Sequence, residues 1–230
     1  MIKVIFWDVD NTLLDFNAQE KNALIKCFND FNLGELNDKM LETYSNINLS
    51  YWKKLERKEI EKKDLVIKRF IDFFAYYNLS CDPINFNDKY QKELGETIVF
   101  NDNSYQLVEY LKGKVKQYAT TNGSLEAQTK KLNKSGLINL FDDVFISDLI
   151  KYNKPDPRFF EYVFKKIGNY QKDEIMIVGD SLTSDIQGGV NVGIKTCWYN
   201  PNNQKDKQEI KFDYQISDLN QLLSILKKEM

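Results

Sequence analysis

Short apolar runs that end at polar residues recur along the chain, and each has the length of a buried β-strand. These runs are Lys3–Trp7, Gln117–Thr120, Asp143–Ile146, Glu174–Val178 and Lys195–Tyr199, with Tyr214–Ile216 as a shorter candidate. Amphipathic segments of helical length lie between and after the later runs, at Ser104–Leu111, Leu125–Lys134, Arg158–Ile167, Ser184–Val192 and Leu219–Lys228. Short strands that alternate with helices are typical of βαβ units. The pattern therefore predicts an α/β fold built on a parallel sheet.

The segment between the first and second predicted strands has a different pattern. Its apolar residues recur at helical spacing, lysine and glutamate are abundant, and strand-like alternation is missing. The predicted helices are Ala18–Phe31, Asp38–Leu55 and Asp64–Tyr77. We therefore expect a helical domain of residues 17–100, inserted into an α/β core formed by residues 1–16 and 101–230.

The composition excludes several classes of function. The chain has 230 residues, 42% of them hydrophobic, and carries 32 Lys and Arg against 34 Asp and Glu, a net charge of −2. This near balance gives no electrostatic reason to expect binding to a nucleic-acid polymer or to a membrane. The absence of histidine excludes Ser-His and Cys-His catalysis and any His-ligated zinc site.

The cysteines and the apolar runs bear on the compartment. Cys27, Cys81 and Cys197 are odd in number and far apart, which favours reduced thiols over a disulfide framework. No run approaches the roughly 18 apolar residues of a membrane span, and the first run is too short for a signal peptide. We expect a cytoplasmic globular protein, and the sequence leaves the choice between monomer and homodimer open.

Two carboxylates, Asp8 and Asp10, follow the first apolar run directly. In an extended backbone, residues two apart point to the same side, so the pair can converge on one ligand. An ordinary polar turn after a strand would also use Asp, Asn and Thr. Asp8 is harder to explain in this way because apolar residues lie on both sides of it, from Val4 to Val9. An acid within such a run is expected to be buried, and a buried charge needs a partner or a metal ion.

Further polar groups follow later strands. They are Thr121-Asn122-Gly123, Lys154-Pro155, Gly179-Asp180 and Asp185. Three of them have an ordinary reading by themselves, as an Asn-Gly turn, a surface lysine or a helix cap, whereas Asp180, directly after an apolar run, has no equally good one. In an open α/β sheet, however, ligands bind outside the carboxyl ends of the strands. We therefore expect these groups to lie in one crevice with Asp8 and Asp10.

The chemistry of these groups favours phosphoryl transfer. Without histidine, the candidate nucleophile is a carboxylate, which can attack phosphorus. Asp8, Asp180 and a carbonyl near Asp10 are hard oxygen ligands that suit Mg²⁺, with Mn²⁺ as a possible substitute. Lys154 and Thr121 could hold phosphate oxygens. Asp10 could protonate the leaving oxygen and then deprotonate the attacking water.

The motifs Asp8-Val9-Asp10-Asn11-Thr12, Thr121-Asn122-Gly123, Lys154-Pro155 and Gly179-Asp180-(x)4-Asp185 resemble, in order, those of haloacid-dehalogenase-superfamily phosphatases. The resemblance implies a Rossmann-like parallel sheet with a helical cap that closes over the site and selects the substrate. It also implies the roles of the site residues. By this resemblance, Asp8 is the nucleophile and Asp10 is the general acid and base. Phosphate is bound by Thr121, Asn122 and Lys154. The metal is held by Asp8, Asp10 and Asp180, and Asp185 supports this set.

A finer resemblance concerns the substrate. Asp15-Phe16, the segment from Asn48 to Trp52, and Gly189 to Gly193 continuing to Trp198 are similar to the subfamily of 5′-nucleotidases that act on pyrimidine monophosphates. The resemblance implies that Phe16, Asn48, Tyr51 and Trp52 contact the substrate. Aromatic side chains among them could stack on a base. Tyr51 and Trp52 could equally be core residues of the helical domain.

Three alternatives stay open. The same core could act on a sugar phosphate or another small phosphorylated metabolite, such as N-acylneuraminate 9-phosphate. A receiver that is phosphorylated on aspartate also combines Asp, Thr and Lys on a parallel sheet. Its reactive Asp, however, follows a strand in the middle of the chain, whereas here the Asp-x-Asp pair follows the first strand, and a receiver lacks a large helical insert. A non-catalytic phosphate-binding module is the third alternative, and the complete set of motif residues argues against it.

Overall fold

A six-stranded parallel sheet forms the centre of the computed structural model, which describes residues 1–206 and 209–229. The strands are β1 (Val4–Trp7), β2 (Lys116–Thr121), β3 (Asp143–Ile146), β4 (Ile175–Gly179), β5 (Lys195–Tyr199) and β6 (Tyr214–Ile216). They lie in the order β3-β2-β1-β4-β5-β6, and every pairing is parallel. The prediction of a Rossmann-like α/β sheet, including the short sixth strand, is confirmed.

Helices occupy most of the remaining chain. They are α1 (Phe16–Asp30), α2 (Asp38–Glu56), α3 (Lys62–Tyr77), α4 (Pro83–Leu94), α5 (Ser104–Leu111), α6 (Leu125–Ser135), α7 (Ser147–Ile150), α8 (Pro157–Ile167), α9 (Gln187–Val192) and α10 (Leu222–Glu229). The sequence analysis did not predict α4. Its start was readable, because Pro83 occupies the first turn and Asp82 caps it by accepting the Asn85 N–H at 2.8 Å.

The chain divides into two compact units. One comprises Met1–Phe16 and Ile98–Met230, and the other comprises Asn17–Thr97. In the first unit, β1 is buried on both faces: Ile5 and Trp7 belong to one apolar cluster, and Val4 and Phe6 belong to the other. This two-sided burial explains why the strand reads as a continuous apolar run.

The second unit is helical and carries a polar network in its interior. Glu20 and Arg69 are both about 2% exposed. Asn48 joins them, since its Nδ2 donates to Glu20 at 2.9 Å and its Oδ1 accepts from Arg69 at 2.9 Å. Aromatic rings pack around the network, with Arg69 about 5 Å from the rings of Phe70 and Tyr90. A paired and hydrogen-bonded charge is the form in which a core tolerates burial.

The cysteines Cys27, Cys81 and Cys197 are free thiols. Among the described helices, none is both long enough and apolar enough to cross a membrane.

Candidate active site

Asp8 lies one residue beyond the central strand β1, and the sheet holds its backbone. Its N–H donates to the Val178 carbonyl at 2.9 Å, which extends the pairing of β1 with β4. A tight turn follows, in which Asn11 adopts a left-handed φ of 61° and the N–H groups of Leu13 and Leu14 both bond to the Val9 carbonyl. The buried apolar side chains of this turn anchor it to the core, so the position of Asp8 is fixed by the fold.

Both carboxylate oxygens of Asp8 accept hydrogen bonds. Lys154 Nζ donates to Oδ1 at 2.9 Å, and the Thr12 hydroxyl donates to Oδ2 at 2.9 Å. Thr12 is fully buried and its hydroxyl also accepts the Asp180 N–H at 3.0 Å. Thr12 therefore links the turn after β1 to the turn after β4, and the sequence analysis assigned it no role.

Lys154 is 1% exposed, and its ammonium group uses three donors on protein oxygens. These are Asp8 Oδ1 at 2.9 Å, the Thr120 carbonyl at 2.6 Å and Asp185 Oδ1 at 2.6 Å. An ammonium has three N–H donors. In this arrangement Lys154 holds carboxylates, and contact with a phosphate oxygen requires one of these bonds to be exchanged.

Thr121 and Asn122 lie at the end of β2, as expected, but they make different contacts. The Thr121 hydroxyl accepts the Gly123 N–H at 3.0 Å and keeps its own proton to donate. The side-chain amide of Asn122 pairs with the backbone of Lys154, accepting its N–H at 2.8 Å and donating to its carbonyl at 2.8 Å. Asn122 thus fixes the loop that carries Lys154, and its binding of phosphate stays a prediction.

Asp180 and Asp185 belong to the turn after β4. The residues Leu182–Ile186 form a π-helical turn, a widening that occurs often at functional sites. It brings Asp185 back over Gly179, where a Cβ would lie 2.4 Å from the Asp185 carboxyl carbon, so glycine is required there. The Asp180 carbonyl accepts the indole N–H of Trp198 at 2.9 Å. The backbone of Asp180 is therefore held on both sides, by Thr12 and by Trp198.

The carboxylates of Asp8, Asp180 and Asp185 form a cluster, with ligand oxygens within 4.8 Å of one another. Burial is the main cause that raises the pKa of Asp8 to about 7. The charge of Asp185 also raises this pKa, whereas the charge of Lys154 lowers it. Burial, followed by the charges of Asp8 and Asp185, raises the pKa of Asp180 well above its usual range. One buried lysine does not compensate three carboxylates, so the cluster fits a bound divalent cation.

Asp10 joins the same end of the sheet but faces helix α6. Its Oδ1 accepts from Lys131 Nζ at 2.5 Å, and its Oδ2 accepts from Gln128 Nε2 at 2.7 Å. The ring of Phe16 lies with its centroid 5.5 Å from Lys131 Nζ. Sequence reasoning missed Lys131 and Gln128, because a lysine or glutamine in an amphipathic helix is normally a surface residue.

The other predicted substrate residues lie in the helical unit. Asn48 is 5% exposed and Tyr51 is 6% exposed. The polar atoms of Asn48 bind Glu20 and Arg69, and the Tyr51 hydroxyl donates to Asp72 at 2.7 Å. Trp52 is partly exposed, and contact with substrate stays a prediction that suits it better than Asn48 or Tyr51.

Known proteins resemble this chain over nearly its whole length. The HAD-hydrolase YfnB of Bacillus subtilis is 35% identical over 99% of this chain and 96% of its own. Its magnesium-bound crystal structure matches with a TM-score of 0.93 at 34% identity, covering 98% of this chain and 99% of that one. The pyrimidine 5′-nucleotidase PynA of Streptococcus pneumoniae is 34% identical over 99% of this chain and 96% of its own.

A third relative, the pyrimidine 5′-nucleotidase YjjG of Escherichia coli, is 27% identical, over 97% of both chains. The haloacid dehalogenase-like hydrolase family matches residues 4–199, which contain every motif residue from Asp8 to Asp185. The resemblance inferred from the motifs is therefore confirmed, and with it the prediction of an enzyme of the hydrolase class. The chain belongs to the haloacid dehalogenase-like hydrolase family.

Proposed function

We propose that this chain is a Mg²⁺-dependent phosphomonoesterase that acts through an aspartyl-phosphate on Asp8. The observation that carries the proposal is the setting of Asp8 at the end of the central strand. Its two oxygens are held by Lys154 and Thr12, and Asp10 follows two residues later. A carboxylate fixed in this way loses little conformational freedom when it attacks, which is how positioning lowers a barrier.

The first half-reaction transfers the phosphoryl group to Asp8. A carboxylate oxygen of Asp8 attacks phosphorus, an Asp8–phosphorus bond forms, and the bond from phosphorus to the ester oxygen breaks. Asp10 gives its proton to the departing oxygen, so that the product leaves as an alcohol. Lys154 lies beside the attacking carboxylate, where its charge offsets the repulsion between an anionic nucleophile and an anionic phosphate.

The second half-reaction returns Asp8 to its starting state. Asp10, now a carboxylate, takes a proton from a water molecule, and the water oxygen bonds to phosphorus. The Asp8–phosphorus bond breaks, inorganic phosphate is released, and Asp10 is again protonated. The Thr121 hydroxyl, which accepts the Gly123 N–H at the end of β2, would donate its proton to a phosphate oxygen in both halves.

A divalent cation fits the carboxylate cluster, because three carboxylates face one buried lysine and the pKa values of Asp8 and Asp180 are raised. We propose that Asp8, Asp180 and the Asp10 backbone carbonyl hold Mg²⁺, with Asp185 supporting through Lys154. Such an ion supplies positive charge that stabilises the developing charge on phosphate. Mn²⁺ has the same preference for oxygen ligands and is the expected substitute.

For the substrate, we propose a pyrimidine nucleoside monophosphate. The support is that two relatives that align with nearly the whole chain, PynA and YjjG, are pyrimidine 5′-nucleotidases. The helical unit of residues 17–97 would then select the base, with Phe16 and Trp52 as the aromatic candidates. We place the reaction in the cytoplasm, in keeping with three free cysteines.

The test is phosphate release from a panel of nucleoside monophosphates and sugar phosphates, each measured with Mg²⁺, with Mn²⁺ and with EDTA. We expect release that depends on the metal and is fastest on pyrimidine monophosphates. If release is fastest on a sugar phosphate, the proposed chemistry stands but a nucleotide is rejected as the substrate. If no substrate in the panel releases phosphate in the presence of either metal, the phosphatase proposal is overturned.

A further inference from the structure

A buried lysine and a buried glutamine on helix α6 hold the two carboxylate oxygens of Asp10. Lys131 and Gln128 are each 1% exposed, although both side chains are long and polar. Lys131 Nζ lies 2.5 Å from Asp10 Oδ1, and Gln128 Nε2 lies 2.7 Å from Asp10 Oδ2. One donor on each oxygen fixes the carboxylate against rotation about its last bond, which a single donor does not do.

The cost of burying these groups indicates that their placement matters. A lysine ammonium taken out of water needs a compensating partner. Lys131 has the Asp10 carboxylate and, at 5.5 Å, the face of the Phe16 ring. The Oε1 of Gln128 is buried and finds no hydrogen-bond partner among the residues that the structure describes. The Gln128 amide therefore carries an unsatisfied acceptor, and what it gains in return is the bond to Asp10.

The loop after β2 is shaped around the same amide. A Cβ at Gly123 would lie 2.0 Å from Gln128 Nε2 and 2.7 Å from the amide carbon. Any side chain at this position would drive the amide away from Asp10. The glycine of the Thr121-Asn122-Gly123 motif thus leaves room for the donor that orients Asp10.

We propose that Lys131 and Gln128 are positioning residues that orient Asp10 for proton transfer to the leaving group. The proposal rests on the proposed function, in which Asp10 is the acid. Neither residue needs to touch the substrate. The loss of activity on replacing either residue should therefore depend on how much the leaving group needs a proton. A contribution to folding alone would not produce such a dependence.

The experiment compares kcat/KM for two esters in the Lys131→Met and Gln128→Leu variants. The leaving group of uridine 5′-monophosphate is the 5′-alkoxide of uridine, which needs a proton, whereas the leaving group of p-nitrophenyl phosphate is a stable phenolate. The ratio kcat/KM reports the steps up to departure of the leaving group, so hydrolysis of the aspartyl-phosphate does not enter. Lys134→Met, an exposed lysine of the same helix, is the matched control. Asp10→Asn sets the full effect of losing the acid.

We expect both variants to lose kcat/KM on the nucleotide by about 10²-fold, at the lower end of what a general acid contributes. On p-nitrophenyl phosphate we expect a loss of less than about threefold by the same reasoning. The control should match the wild type on both esters. Gly123→Ala offers a second test, because it displaces the Gln128 amide without removing it. This variant should also lose kcat/KM on the nucleotide much more than on p-nitrophenyl phosphate.

Equal losses on the two esters in folded variants, or no loss on either, would overturn the positioning role. If Lys131→Met does not fold, Gln128→Leu and Gly123→Ala decide by the same ratio. A wild-type enzyme that releases no phosphate from any ester reports instead on the proposed function, so the two failures are distinguishable.

Discussion

The side chain of Asn122 and the backbone of Lys154 are joined by two antiparallel hydrogen bonds. The Lys154 N–H donates to Asn122 Oδ1 at 2.8 Å, and Asn122 Nδ2 donates to the Lys154 carbonyl at 2.8 Å. The two residues come from different loops, after β2 and before α8. This pairing sets where the Lys154 ammonium meets Asp8 and Asp185, so a residue without a reacting atom controls the charge at the site.

Replacing Asn122 with Asp tests whether this pairing positions the Lys154 ammonium. The carboxylate keeps the acceptor for the Lys154 N–H but loses the donor and faces the Lys154 carbonyl. We expect kcat/KM to fall by at least about tenfold and the free energy of unfolding to fall by about 1–3 kcal/mol, the cost of an unsatisfied buried group. Asn133→Asp on the exposed face of α6 is the control. An Asn122→Asp enzyme with wild-type kinetics would show that Lys154 needs no such support.

Replacing Asp8 with Asn should separate catalysis from stability. The amide cannot act as a nucleophile, so we expect phosphate release to fall by roughly 10³-fold or more. The fold should persist, because an amide oxygen can still accept from Lys154 and the burial of a carboxylate is removed. Circular dichroism and thermal unfolding report the fold, and phosphate release reports turnover. A folded Asp8→Asn protein with near-wild-type activity would contradict the mechanism.

The metal-free protein should lose stability as pH rises through the acidic range. The pKa of Asp8 is raised from 3.8 in a free side chain to about 7 by burial and by the charge of Asp185. Between these two pH values the folded state binds more protons than the unfolded state, so the free energy of unfolding falls as pH increases. The shift of Asp180 has the same direction.

Because Mg²⁺ binds ionised carboxylates, its stabilising effect should grow over the same range. Thermal unfolding in EDTA and in Mg²⁺, at several pH values from about 5 to 8, measures both effects. We expect a larger rise in Tm with Mg²⁺ at the neutral end than at the acidic end. Asp8→Asn should flatten the slope in EDTA. A Mg²⁺ effect that is the same at every pH would argue against these carboxylates as ligands.

Trp198 should affect metal affinity without touching the metal. Its indole N–H holds the Asp180 carbonyl at 2.9 Å, and its ring packs against Phe212. Trp198→Phe keeps an aromatic ring and removes the donor. We expect the Mg²⁺ concentration for half-maximal activity to rise by about 5- to 10-fold, in the range of one lost hydrogen bond to a ligand residue. An unchanged Mg²⁺ requirement would show that Thr12 alone holds Asp180 in place.

Trp52 tests the proposed selection of a base. Trp52→Ala should raise KM for uridine 5′-monophosphate by roughly 10-fold, since stacking on a base contributes about 1–3 kcal/mol. KM for p-nitrophenyl phosphate and for a sugar phosphate should change far less. Trp52→Phe, which keeps an aromatic face, should recover part of the loss. Equal changes on all substrates would remove base stacking from the proposal.

The sequence by itself determined the strands, most of the helices and the carboxyl-end position of the motif residues. The reason is that these features are local or follow from the direction of parallel strands. Asp8, Thr121 and Asp180 each lie at or just after a strand end, and parallel strands bring such ends to one edge of the sheet. The apolar run of β1 already required burial on both faces.

Only the tertiary structure decided which donor serves which acceptor. Lys130, Lys131 and Lys134 lie in the same helix. Nothing in the local sequence indicates that Lys131 is buried against Asp10 while Lys134 is exposed. That outcome depends on how α6 is rotated against the sheet, which is set by packing of distant residues. For the same reason, the roles of Thr12, Gln128 and Trp198 become visible only when the loops after β1, β2 and β4 are placed together.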